Sequence, residues 1–266
     1  MMVMKAQLNG LEIAYELHGR GKPLLLIQGL GLGRWAWFKQ APQLKQHFRV
    51  ITFDNRGVGE SSKPRSPYTI ETMAEDAAAL LQHLGIRHAH VAGASMGGMI
   101  AQVLALRYRD MVDKLVLACT TPGKTLEQPI PPQTMQTMTT PAGKTAAEML
   151  RHVMSPAFAP GFIESYPELM EKIIRLRLKY HAPFYAWQAQ LHAAFQFDNA
   201  QGLGKITCPA LVITGDQDLV IPWENSRILH QYLPNSRLKI MRGGGHLFFI
   251  EQAEAFNGEL INFFQG

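Results

Sequence analysis

Gly93-Ala94-Ser95-Met96-Gly97 is the stretch on which the fold turns. It closes a short apolar run, His90–Ala94, and precedes an amphipathic segment, Gly98–Tyr108, so Ser95 stands on a predicted strand-to-helix turn. A side chain on such a turn projects from a strained backbone. The residues two before and two after it must then be nearly free of side chain, or strand and helix cannot approach. Gly93 and Gly97 meet that need, and Gly98 extends it. The start of the helix also aims backbone N–H groups and its positive end at the space beside Ser95.

Outward from this turn, apolar runs of strand length recur at Leu24–Gln28, Val50–Asp54, Lys114–Ala118, Ala210–Thr214 and Leu238–Met241. Helical patterns lie between and after them, at Ile70–Leu84, Trp223–Leu233 and Glu251–Phe264. The alternation predicts an α/β fold: a mostly parallel, doubly wound central sheet of about eight strands with helices on both faces. Val3–Leu8 and Glu12–Leu17 flank Asn9-Gly10, a hairpin dipeptide, so the sheet is expected to open with antiparallel strands. One segment breaks the rhythm. Residues 121–205 hold nine of the sixteen prolines, and Pro122–Gly143 shows neither strand nor helix period. Helical patterns follow at Ala146–Met154, Pro167–Tyr180 and Pro183–Phe195. The chain is therefore divided into a core, 1–120 and 206–266, and a helical lid inserted after the sixth strand, 121–205.

Composition sets the outer limits. Of 266 residues, 47% are hydrophobic and 18% charged, which excludes a disordered chain and supports one substantial core. The net charge of +5 comes from scattered basic residues, so neither nucleic acid nor a membrane surface is expected as a partner. Cys119 and Cys208 stand apart, without disulfide or metal-site spacing. No run nears the ~18 apolar residues of a membrane span, and Met1–Gly10 reaches Asn9-Gly10 before a signal core could form. A cytoplasmic protein is the expectation. Oligomeric state leaves no mark in the sequence.

A serine hydroxyl needs a base to become a nucleophile, and the base needs an acid to orient it. Asp218 lies just past Ala210–Thr214, and His246 follows 28 residues later in Gly243-Gly244-Gly245-His246, just past Leu238–Met241. Asp216 competes with Asp218 for the acid's role. Asp54 and Arg56 read as a local pair or cap. Gly29-x-Gly31 with Asp54 imitates a dinucleotide fingerprint, but Arg34 occupies the third glycine position and such a site leaves Ser95, Asp218 and His246 unexplained. His88 and His90 find no third ligand, so no metal is expected. Arg175, Arg177 and Lys179 read as a solvated helix face. Met135, Met138, Met149 and Met154 suit either a pocket wall or the lid's own packing.

Taken together, the Ser, Asp, His order, the loop Gln28-Gly29-Leu30-Gly31, Trp37 and Asp54-Asn55-Arg56-Gly57-Val58-Gly59-Glu60-Ser61 resemble the α/β-hydrolase fold superfamily over nearly the whole chain. The resemblance implies a triad of Ser95, Asp218 and His246, with spacing before Pro222 favouring Asp218 over Asp216. It also implies an oxyanion hole from the backbone N–H groups of Leu30 and Met96. Gln28 stands where many relatives have His, and is expected to hold the loop instead. With Met135 and Met138 it is also an expected substrate-pocket residue. Within the superfamily the chain resembles carboxylesterases and the enol-lactonase-like group. That implies hydrolysis of a small-molecule ester or lactone through an acyl-enzyme, with no cofactor. Carbon–carbon bond hydrolases, thioesterases and cofactor-free haloperoxidases share the triad and stay open as alternatives, with a non-catalytic binding module least favoured. The serine at 95 argues against dehalogenases and epoxide hydrolases, which carry a carboxylate there.

Overall fold

The strands are β1 Met4–Leu8, β2 Leu11–His18, β3 Pro23–Ile27, β4 Arg49–Phe53, β5 Ala89–Ala94, β6 Val112–Ala118, β7 Ala210–Gly215 and β8 Ser236–Met241. In the computed structural model, which describes residues 2–266, they form one sheet in the order β1-β2-β4-β3-β5-β6-β7-β8. All eight expected strands are present, displaced by at most two residues at either end. β1 pairs antiparallel with β2 across Asn9 (φ +51°) and Gly10 (φ +75°), the two left-handed residues a tight hairpin requires. β2 is antiparallel to β4, and every later pairing is parallel.

The unbroken apolar runs follow from burial on both faces. Successive side chains of a strand point to opposite sides, so Leu25 and Ile27 of β3 enter one core and Leu24 and Leu26 the other, all at 0% exposure. The first core is covered by α1, Ile70–His83, and α2, Met96–Arg107. Helix α2 begins two residues before the expected Gly98, directly after Ser95. Tertiary packing overrides the poor helix propensity of Gly97 and Gly98 there, since both are buried against β3 and Thr120.

Four helices of eight or more residues lie between β6 and β7: α3 Pro132–Thr139, α4 Ala146–Met154, α5 Pro167–Lys179 and α6 Phe184–Gln196, with a single helical turn, Phe162–Ser165, ahead of α5. The first corrects the sequence expectation for Pro122–Gly143. It spans only 8 residues, begins at a proline and carries five polar residues around its two methionines, so it is too short to show a period. Helix α7, Glu224–Tyr232, precedes β8, and α8, Ala253–Gln265, ends the chain. The single helix expected over Glu251–Phe264 is instead a short turn, Phe248–Glu251, and then α8, divided at Gln252 (φ −115°, ψ 44°). Phe248, Phe249, Phe256, Leu260 and Phe264 from this end fill the second core. No helix of the described residues is long and apolar enough to cross a membrane.

His90 of β5 belongs to that second core. Its ring stacks on Phe264 at 4.7 Å and meets Phe48 edge-on at 6.2 Å, and both ring nitrogens are buried without a partner. Burial pushes its pKa down to about 4 from 6.5, because a charged imidazolium would lose its water. Between those values the unfolded chain binds a proton that the native state refuses. The stability this represents is present above pH 6.5 and is lost as pH falls toward 4, at up to about 1.4 kcal/mol per pH unit. His90→Phe is expected to lose less stability between pH 7 and 4.5 than the wild type in urea titrations. Parallel curves for the two proteins would contradict this account.

Candidate active site

The turn after β5 is closed by backbone contacts that admit only glycine on either side. A Cβ on Gly93 would lie 2.1 Å from the Gly97 carbonyl oxygen, and one on Gly97 would lie 2.1 Å from that of Ile27. Ser95 between them takes φ +57° and ψ −124°, a conformation L-residues avoid. Its N–H donates to Ala118 O (2.9 Å) and its carbonyl accepts from Thr120 Oγ1 (2.8 Å), so the turn is tied to the end of β6.

Asp218 and His246 approach from the ends of β7 and β8. His246 Nδ1 lies 2.7 Å from Asp218 Oδ2, and both residues are buried. The other oxygen, Oδ1, accepts from Val220 N (2.8 Å) and Ile221 N (2.9 Å), which fixes the carboxylate's orientation. Asp216 does something else. It accepts from Gly243 N (2.7 Å) and from the exposed Arg242 guanidinium (3.2 Å), tying down the loop that leads to His246. Both rims of that loop are held too: Glu251 accepts from Gly245 N and Ala159 N, each at 2.8 Å, and Leu247 N donates to Ala157 O (2.8 Å). Burial pushes the Glu251 carboxyl up despite these bonds.

Cys119 Sγ, an Asp218 oxygen and a His246 ring nitrogen lie within 4.8 Å of one another. Burial, and then the negative charge of Asp218, push the Cys119 thiol well above its ordinary value, so it meets the pair as a neutral group. No hydrogen bond joins Ser95 Oγ to the imidazole among the described residues. Ser95 and His246 line one cavity.

The loop after β3 passes close to Ser95. A Cβ on Gly29 would be 3.0 Å from Ser95 Cβ. The Leu30 N–H has no acceptor among the described residues, and Met96 is the first residue of α2, ahead of any intrahelical acceptor. Gln28 Oε1 accepts from Gly29 N at 3.2 Å, and Asn55 Nδ2 donates to Gln28 O at 2.9 Å. The next glycine is held from the inserted helices on both of its backbone groups. Gly31 N donates to Gln190 Oε1 (2.8 Å), and Gly31 O accepts from Arg177 Nη1. Gln190 Nε2 reaches on to Arg56 O (2.7 Å). Asp54 and Arg56 do not pair locally as expected: Asp54 pairs with Arg34 and Arg56 with Asp76, each partner 20 residues away. Gln190→Ala would leave Gly31 N–H and Arg56 C=O unpaired in a buried place, and is expected to cost about 2 kcal/mol of stability. The check is a lower urea midpoint at an unchanged m-value.

Two adjoining cavities meet at Ser95, sharing Leu30, Met138, Trp187 and Val220. Gln28, Met154 and Arg177 line the first; Met96, Met135 and Glu127 line the second. All three pocket residues expected from sequence, Gln28, Met135 and Met138, are therefore on the walls, whereas Met149 is on neither and is exposed. Arg177 corrects the reading of a solvated face on Arg175, Arg177 and Lys179. Two residues advance a helix by about 200°, so Arg177 cannot share a face with Arg175. It sits instead at i+7, i+4 and i+3 from the buried Met170, Ile173 and Ile174. In the sequence nothing singles out Glu251 or Gln190, and Cys119 reads only as a cysteine without disulfide or metal-site spacing; no local pattern marks the three as neighbours of the site.

Residues 22–253 match the family model described as alpha/beta hydrolase fold. The chain is 34% identical over 244 residues to a poly(3-hydroxyalkanoate) depolymerase of Ectopseudomonas oleovorans, covering 91% of this chain and 84% of that one. It is 32% identical over 237 residues to 3-oxoadipate enol-lactonase 2 of Acinetobacter baylyi (strain ATCC 33305 / BD413 / ADP1), covering 88% and 85%. Among solved structures, the enol-lactonase from Burkholderia xenovorans LB400 superposes with a TM-score of 0.87 at 27% identity, covering 99% of this chain and 100% of that one.

Proposed function

The chain belongs to the alpha/beta hydrolase fold family, and from that premise we propose that it is a serine hydrolase cleaving a carboxylic ester or lactone of a small molecule. The observation that carries this reading is the joint placement of a strained Ser95 and an Asp218-held His246 on the wall of one cavity. Relatives similar along most of their length, named as a poly(3-hydroxyalkanoate) depolymerase and an enol-lactonase, support the substrate class.

In this mechanism His246 takes the Ser95 proton through Nε2 as the hydroxyl oxygen attacks the carbonyl carbon. Asp218 holds Nδ1–H and stabilises the imidazolium. The Ser95–His246 hydrogen bond closes once substrate is bound, as such bonds commonly do. The N–H groups of Leu30 and Met96, which have no acceptor among the described residues, receive the developing oxyanion. His246 then returns the proton to the leaving oxygen, and water releases the acyl group by the same route. Residues 121–205 serve as the lid. Their helices supply Met138, Val153 and Trp187 to the cavity wall and grip Gly31 beside Leu30.

The test is a screen of p-nitrophenyl esters of rising acyl length with purified protein, alongside labelling by an organophosphate. Turnover together with a covalent adduct on Ser95 is expected. An adduct without turnover of any ester or lactone would move the substrate to another acyl class. Hydrolysis with no adduct on Ser95 would refute the mechanism.

A further inference from the structure

The two cavities that meet at Ser95 differ in electrical character. Among residues lining the first, the titratable groups are His246 and Arg177; in the second the only one is Glu127, which accepts from Thr121 Oγ1 at 2.8 Å. Arg177 donates one N–H to Gly31 O, which fixes the guanidinium's position, and no carboxylate among the described residues pairs with it. Burial alone draws its pKa down to about 10, so it is still a full cation at neutral pH. A guanidinium has five N–H donors, and one backbone carbonyl leaves most of them unused.

A second unused donor lies on the same wall. Gln28 is 1% exposed, its Oε1 is taken by Gly29 N, and its Nε2 is buried with no partner. Buried donors without an acceptor are rare in folded proteins, because the lost water is not replaced. A cation without a counter-ion and an amide without an acceptor, both lining one cavity, complement an oxygen-rich anion.

We propose that the Arg177 and Gln28 wall binds a carboxylate carried on one arm of the substrate, while the other, uncharged arm occupies the cavity of Met135 and Glu127. The natural substrate is then a small ester or lactone bearing a free acid. Glu127 fixes the polarity, since it repels an anion from the second cavity. This inference rests on the serine hydrolase reading above.

Matched esters test it on either arm. p-Nitrophenyl hemiglutarate is compared with p-nitrophenyl hexanoate, and 4-acetoxybenzoate with its methyl ester, in wild type, Arg177→Met and Arg177→Lys. For one pair, the charged-to-neutral ratio of kcat/KM is expected to fall about 10–100-fold in Arg177→Met, chiefly through KM, with much of it restored by Lys. Calorimetry with monomethyl glutarate gives a readout free of turnover: binding to Ser95→Ala is expected, and loss of it in Ser95→Ala/Arg177→Met. Ratios equal in wild type and Arg177→Met for both pairs would overturn the proposal. So would monomethyl glutarate failing to bind Ser95→Ala or binding both proteins alike. Absence of turnover and of Ser95 labelling would count against the hydrolase reading, with the calorimetry still deciding the anion site.

Discussion

Ser95→Ala is expected to lower kcat on a p-nitrophenyl ester by about a million-fold while leaving KM within a few-fold, because only the attacking atom is removed. What survives is catalysis by the oxyanion donors and by binding, on the order of a thousand-fold over water. Ser95 gives this experiment a second axis. Its φ of +57° with ψ of −124° is a conformation that glycine adopts freely and serine or alanine only under strain. Ser95→Gly is therefore expected to be as inactive as Ser95→Ala yet more stable than it, by about 1 kcal/mol or more in urea unfolding. Equal stability of the two variants would mean that the turn stores no strain. Substantial ester hydrolysis by either would remove Ser95 from the chemistry.

The parts of the molecule legible in its sequence are those whose cause is local. β3 to β7 are short apolar runs because both faces of each are covered, and that burial is written residue by residue. Asn9-Gly10 announces the hairpin through its own backbone preference. Gly93 and Gly97 announce the turn because nothing larger fits beside their neighbours' carbonyls. Contacts between distant segments leave no such trace. Gln190 reaches Gly31 across 159 positions, Glu251 reaches Ala159 across 92, and Cys119 nears Asp218 only because β6 lies beside β7 in the sheet. Arg177 is the intermediate case. Its place at the end of Met170, Ile173 and Ile174 was readable as a buried helix face, but a run of alternating basic residues suggests solvent when charge is counted without helical angle.

The same limit applied to the acid. The residue types alone leave Asp216 and Asp218 in competition, the family's spacing before Pro222 favours Asp218, and the hydrogen bonds separate their tasks. Asp218→Asn is expected to lower kcat by about ten-thousand-fold with little change in fold, as measured by initial rates and thermal unfolding. The reason lies in the atoms. Val220 N and Ile221 N both donate to Oδ1, so an asparagine keeps its oxygen there and turns its NH2 toward His246 Nδ1. Nδ1 must then accept, the ring proton moves to Nε2, and Nε2 can no longer receive the proton of Ser95. Asp216→Asn removes a charge facing Arg242, whose side chain is 87% exposed, and can keep its bond from Gly243 N through the amide oxygen. An ion pair that open to solvent contributes at most about 1 kcal/mol. Its effect on kcat should stay within about tenfold, through looser placement of the His246 loop. A larger loss for Asp216→Asn than for Asp218→Asn would reverse the assignment of the two carboxylates.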